Sequence, residues 1–300
     1  MRGAALVLAA AVATAGCRPA LDDRPWLVTK AQILAVRAEP PEVAVGRDVV
    51  MEAVALDPTF AADVSSTAWT LCRTPKPLGE NRVVAEACLA PAAADAAGNP
   101  VTLTIPTDAC QQFGPSTPQP PPGAPPTRPR DPDATGGYFQ PVTAVLADAT
   151  AIALERVACG LPDASLAIAQ AYQAAYRPNL NPTIAALTLV ADGAPVDTGA
   201  VPRGARITVT VSWPAATAET FPVFDRTGNT LVDTQEILTA SWYVTGGALD
   251  RAAAEISDPS VLSTSTAWTA PEEAGPVDLL VVLRDSRGGA AWSRATFTVE

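Results

Sequence analysis

Arg206-Ile-Thr-Val-Thr-Val-Ser-Trp213 decides the fold. Ile207, Val209, Val211 and Trp213 fall on one side of an extended chain, and Thr208, Thr210 and Ser212 on the other. A period of two with one apolar face is a half-buried β-strand. Upstream lie Thr183-Ile-Ala-Ala-Leu-Thr-Leu189, a turn-rich stretch and Pro202-Arg-Gly204. Downstream lie the Trp-bearing run Leu238-Thr-Ala-Ser-Trp-Tyr-Val244, the strand-like Thr264–Thr269, and a closing pair. In that pair Leu279-Leu-Val-Val-Leu-Arg-Asp285 turns through Ser286-Arg-Gly-Gly289 into Ala290–Val299. Asp, Ser and Gly supply the turn chemistry.

The first half repeats this order. Gln32-Ile-Leu-Ala-Val-Arg-Ala38 leads through Pro40-Pro41 and Gly46 to Val49–Leu56. The Trp run Ser66-Thr-Ala-Trp-Thr-Leu-Cys72 follows, then Val101-Thr-Leu-Thr-Ile105. Val142-Thr-Ala-Val-Leu-Ala-Asp148 and Ala151–Cys159 form the final hairpin. Many short strands between Pro/Gly turns predict a mainly β protein of two tandem β-sandwiches. The strand order resembles immunoglobulin-like, or PKD-like, domains over residues 29–160 and 182–300. The resemblance implies burial of Trp69 and Trp242. It departs from antibody domains in lacking their intersheet disulfide, because the second copy holds no Cys.

Residues 161–181 form the connector, helical over 163–176, with Asp163 as cap and Pro178 as stop. Leu166, Ala169, Tyr172 and Tyr176 share one face, packed between the sandwiches. Residues 111–133 carry nine prolines. Proline fixes φ and removes a donor, so the segment is extended and cannot join a sheet. The closing hairpin of the first copy comes after it, which makes 111–137 a loop inserted into that sandwich rather than a linker. It acts as a spacer, or as a ligand for an aromatic groove.

The N-terminus is an export signal: basic Arg2, apolar Ala4–Ala13, then small residues to Gly16. The apolar run is too short to span a bilayer, which needs roughly 20 residues. Ala15-Gly-Cys17 resembles the bacterial lipobox, with Thr14 where that motif prefers Leu. The resemblance implies cleavage after residue 16 and acylation of Cys17 (palmitate among three chains), with 17–28 as a tether. Ala13-Thr-Ala15 also fits ordinary signal peptidase, which would release a soluble product. The chain has five Cys, an odd count in an exported protein, and a lipid on Cys17 leaves four to pair. Four Cys allow three connectivities. Cys72–Cys88 with Cys110–Cys159 is favoured, since the second bridge clamps the base of the Pro-rich loop. Spacings of 16, 22 and 49 residues argue against zinc.

Leu78-Gly-Glu-Asn81, Tyr138-Phe-Gln-Pro141, Cys159-Gly-Leu161 and Tyr176-Arg-Pro-Asn179 resemble segments of uncharacterised lipoproteins of high-GC Gram-negative bacteria. That group implies a surface or periplasmic place and no particular activity. Arg18 after the Cys implies the outer membrane by the enteric sorting rule.

Removal of residues 1–16 takes away only Arg2, leaving 19 basic against 31 acidic residues, a net of −12. Nucleic acid is therefore no partner, because phosphate binding is dominated by Lys and Arg contacts. Histidine is absent, which removes Ser-His-Asp sites and His-ligated metals. No nucleotide loop is present, and no cofactor is expected. Asp225, Thr227, Asn229, Asp233 and Glu236 share the spacing of a 12-residue calcium loop, but Gly228 is misplaced for one, and a hairpin tip explains the same residues. Trp268 and Trp292 lie on strands expected to neighbour each other, where exposed rings would stack on sugar; core packing is the other reading. Trp26, in the tether, is expected near lipid headgroups. The chain thus reads as a lipid-anchored envelope protein, non-catalytic, that binds or scaffolds an envelope protein or glycan. A carbohydrate-binding surface module is the alternative.

Overall fold

The computed structural model describes residues 24–300 except 59–62, 76–83, 92, 113, 115–121, 123–133, 163 and 197–198. The segment expected to be a signal peptide, Cys17, Asp163, Leu78-Gly-Glu-Asn81 and most of the Pro-rich loop lie outside the described residues.

The first sandwich contains β1 (Gln32–Glu39), β2 (Glu42–Ala44), β3 (Asp48–Leu56), β4 (Ala68–Leu71), β5 (Ala96–Ala97), β6 (Val101–Thr104), β7 (Gly137–Leu146) and β8 (Ala149–Ala158). A short helix α1 (Ala109–Gln112) precedes β7, and α2 (Leu166–Ala175) follows β8. The second sandwich contains β9 (Ala186–Ala191), β10 (Ala194–Pro195), β11 (Ala200–Val201), β12 (Arg206–Ser212), β13 (Thr220–Asp225), β14 (Thr230–Gln235) and β15 (Leu238–Val244). Its remaining strands are β16 (Ala248–Leu249), β17 (Ala253–Ile256), β18 (Ser263–Thr269), β19 (Gly275–Asp285) and β20 (Ala290–Val299).

Both copies share one topology. In the first, sheet β1-β3-β6 faces sheet β2-β8-β7-β4-β5. In the second, sheet β10-β9-β12-β18-β16 faces sheet β11-β20-β19-β15-β17. In each, a short strand early in the copy, β2 or β11, crosses over and pairs parallel with the last one. Glu42–Ala44 runs with Arg156–Ala158, and Ala200–Val201 with Thr298–Val299. This crossing between sheets is an immunoglobulin-like feature, and the described chain is mainly β. The second copy adds the hairpin β13-β14, a sheet of its own.

The expected alternation holds. Ile207, Val209, Val211 and Trp213 are buried, and β12 pairs with β18 over Arg206–Ser212 and with β9 over Thr208–Ser212. Trp69 and Trp242 occupy equivalent strands, β4 and β15, and both are fully buried. The apolar run of β19 is continuous because both of its faces are covered. Leu279, Val281 and Leu283 enter the second core, while Leu280 and Val282 meet Val28, Ala35 and Leu56 beside the first sandwich. Among the described residues the disulfides are Cys72–Cys88 and Cys110–Cys159. Helix α2 starts at Ser165, whose hydroxyl accepts from the Ile168 amide at 3.3 Å.

The segment before β1 departs from expectation. Trp26 is no headgroup anchor: it is 8% exposed and packs in the core of the second sandwich. Its carbonyl accepts from the Val244 amide at 2.9 Å, and the Val28 amide donates to the Val244 carbonyl at 2.8 Å. Leu27 bridges Val244 in parallel. The tether expected over 17–28 is therefore folded by Trp26. Burial of a Trp, together with two backbone bonds, outweighs the freedom of five or so residues. From Trp26 the described chain runs along the second sandwich, crosses to build the first, and returns.

Candidate functional site

The polar residues gather where the sandwiches meet. Glu42, at the start of β2, is buried and presents Oε2 to four donors. Tyr176 Oη donates to it at 2.6 Å and the Asn179 amide at 3.0 Å. Arg156 Nε lies 3.3 Å away and Arg287 Nη1 3.9 Å. Arg287, in the β19–β20 turn, also grips Glu236 Oε1 through Nε at 2.6 Å and Glu219 Oε2 through Nη2 at 2.7 Å. Its guanidinium stands 4.5 Å from the centre of the Phe221 ring. Buried ions are tolerated when paired and hydrogen-bonded. Glu42 Oε2 and Arg287 meet that condition, while Glu42 Oε1 is buried without a hydrogen-bond partner.

Local sequence explains the positions. Asp285 caps its own turn, accepting from the amides of Arg287 at 2.9 Å and Gly289 at 2.8 Å. That turn aims Arg287 inward. Gly137 on β7 leaves room for Arg156, since a Cβ there would stand 2.0 Å from Cζ. Asn181 ties the two sandwiches: its Nδ2 donates to the Ala38 carbonyl at 2.7 Å, and its Oδ1 accepts from the Ala290 amide at 2.9 Å. Arg284 Nη2 donates to the Leu34 carbonyl at 2.7 Å, and Arg37 sits 5.0 Å over the Trp292 ring.

Burial shifts the acids. Glu155 is pushed up to about 9, by desolvation first and then by the Glu42 charge. Asp285 and Glu236 are also raised, chiefly by desolvation. Asp285 is held by its turn amides and Glu236 by Arg287, so neither is placed as a base. Among the described residues no three His, Cys, Asp or Glu side chains converge as metal ligands.

The residues expected to form sites do not come together. Asp225 and Asn229 flank the β13-β14 tip, where the Asp225 carboxylate accepts from the Thr227 amide at 2.9 Å. Asp233 lies exposed on β14, and Glu236 is drawn into the junction by Arg287. The calcium-like spacing belongs to a hairpin. Trp268 and Trp292 are not neighbours either. Trp268 is on β18, fully buried and 5.2 Å from Phe297, while Trp292 is on β20 of the opposite sheet. Two rings in different sheets, one without exposed surface, make no sugar platform. The junction residues Glu42, Glu155, Arg156, Arg284 and Arg287 were not singled out from the sequence. One signal was available: Glu155-Arg156 interrupts a strand whose other residues are small or apolar.

No protein-family model matches the chain, and neither does any curated protein. Among solved structures it aligns with the D00-D0 domain of intimin at 9% identity, over 89% of this chain and 98% of that one, with a TM-score of 0.22. The Yersinia pseudotuberculosis adhesin InvE aligns at 12% identity over 88% of this chain and 58% of that one, TM-score 0.21. Escherichia coli alpha-2-macroglobulin activated by porcine elastase aligns at 11% identity over 91% and 22%, TM-score 0.23. Superpositions this loose carry no argument, and the fold rests on the strand order given above.

Proposed function

We propose that the chain is an exported, lipid-anchored protein of the bacterial envelope, a non-catalytic arm that binds or scaffolds a partner. The observation that favours an arm over two beads on a string is the junction. It combines a buried ion network, the Trp26 strap and a shared apolar seam in Leu280 and Val282. Inter-domain interfaces are mobile by default unless large and hydrophobic. Here the chain crosses between sandwiches at the strap and again at α2, which makes independent motion costly.

The lipid on Cys17 supplies attachment, since two or more acyl chains anchor stably. Mass spectrometry of the mature protein from cell envelopes tests this. A triacylated Cys17 N-terminus, lost in Cys17→Ser, is the expected result. A mature chain beginning at Gly16 with a bare thiol would sink the anchor. Affinity capture from solubilised envelopes is expected to return a defined protein partner, and turnover of a panel of glycosides or esters by the purified chain would contradict the non-catalytic reading.

A further inference from the structure

The open flank of the first sandwich holds a cleft of about 360 Å³, within the range of small-ligand sites. It lies between β1, which ends its sheet, and β8, and the β19–β20 turn closes it with Arg284, Asp285 and Gly288. Beside β8 the short strand β2 covers only Arg156–Ala158, so Ala151–Glu155 border the cleft. Ile33, Val36 and Met51 give it an apolar wall.

Glu155 sits in this wall at 2% exposure, and its Oε1 is buried without a hydrogen-bond partner. Its strand neighbours Ala153 and Val157 point into the first core, so its side chain shares the inward face that opens to the cleft. The charged groups around it are engaged elsewhere. Glu42, whose charge further disfavours a carboxylate at Glu155, accepts from Tyr176 and the Asn179 amide and faces Arg156 Nε. Arg284 donates to the Leu34 carbonyl, and Asp285 accepts from its own turn. β1 and β3 place only apolar residues in the wall. Without a counter-ion the carboxyl stays protonated at neutral pH. An orphaned buried acceptor is unfavourable, and such a group in a cleft is a site waiting for its complement.

We propose that this cleft binds a primary ammonium group on a short apolar stem, with Glu155 as counter-ion and Ile33, Val36 and Met51 along the stem. This goes beyond the envelope role and does not depend on the lipid. Binding is coupled to a proton: the carboxylic acid gives its proton to solvent, and the resulting carboxylate pairs with the ammonium. One proton leaves per ligand, so affinity rises about tenfold per pH unit while Glu155 is protonated without ligand. The net charge of −11 draws cations toward the surface. A free alkylamine and a lysine side chain of a partner offer the same chemistry.

The test uses the mature chain with ¹³C-labelled glutamate and n-butylamine as probe. The Glu155 carboxyl resonance, assigned by its loss in Glu155→Gln, is expected at the acid position at pH 7. It is expected to move to the carboxylate position with n-butylamine and to stay with n-butanol. Butylamine affinity is expected to rise about tenfold from pH 6 to pH 7 and to fall at least tenfold in Glu155→Gln, whose melting confirms an intact fold. Tighter binding of acetyl-lysine methylamide than of butylamine, lost on Nε-acetylation, would mark a protein side chain as the source; the reverse order would mark a free amine. Equal binding of butanol, undiminished binding by Glu155→Gln, or a carboxyl signal that never moves would overturn the proposal.

Discussion

Arg287 is the residue on which the junction turns. It meets carboxylates of the first sandwich and of the second, and is itself 2% exposed. Removing one partner of a buried pair leaves the other charge uncompensated, at about 3–5 kcal/mol. Arg287→Ala is expected to lose that much in urea unfolding, and Arg287→Lys most of it, because an ammonium cannot reproduce the forked contacts to Glu236 and Glu219. Glu155 acts in the opposite sense. Its folded pKa lies above its ordinary value of 4.5, so the native state keeps a proton that the unfolded chain releases. Stability from this group therefore falls as pH rises from about 5 to 9, by up to ~1.4 kcal/mol per pH unit. Glu155→Gln is expected to remove that slope in denaturant midpoints measured across the range; an unchanged slope would assign it to other groups.

At the scale of elements, the strands were legible and the strap was not. Arg206–Trp213 announces itself because one face is buried and the other wet, which imposes a period of two. The disulfide clamp at Cys110–Cys159 was legible too, since the loop it closes stands out by its prolines. Trp26 gave no such signal, for a single apolar residue outside any periodic run can go to lipid or to a core. What decides is Val244, whose amide and carbonyl are left open where β17 stops pairing with β15 at Ser241. Core packing, one of the two readings of Trp268, holds, but its separation from Trp292 was not legible, because the partner strand of Thr264–Thr269 cannot be read from that run alone. Trp26→Ala is expected to cost about 3–5 kcal/mol and to speed hydrogen exchange at the Val28 and Val244 amides. Reduction of Cys110–Cys159, which closes 49 residues, is expected to cost about 4 kcal/mol, against about 3 for the 16-residue Cys72–Cys88 loop.

In the whole molecule, two copies of one topology are joined side against side rather than end to end. Repetition of the strand order fixed where each core lies, but it says nothing of how the copies meet. That depends on outward faces, such as Leu280 and Val282, and on polar residues such as Glu42 whose partners are more than a hundred positions away. The Tyr176-Arg-Pro-Asn179 segment, notable in the sequence as the end of the connector helix and for a resemblance, supplies two of the four donors to Glu42. Calorimetry of the mature chain measures the outcome most directly. One transition is expected, with equal van 't Hoff and calorimetric enthalpies, splitting in two when Trp26→Ala and Arg287→Ala are combined. Two separate transitions in the unaltered chain would mean that the sandwiches unfold independently, and the rigid arm would be lost.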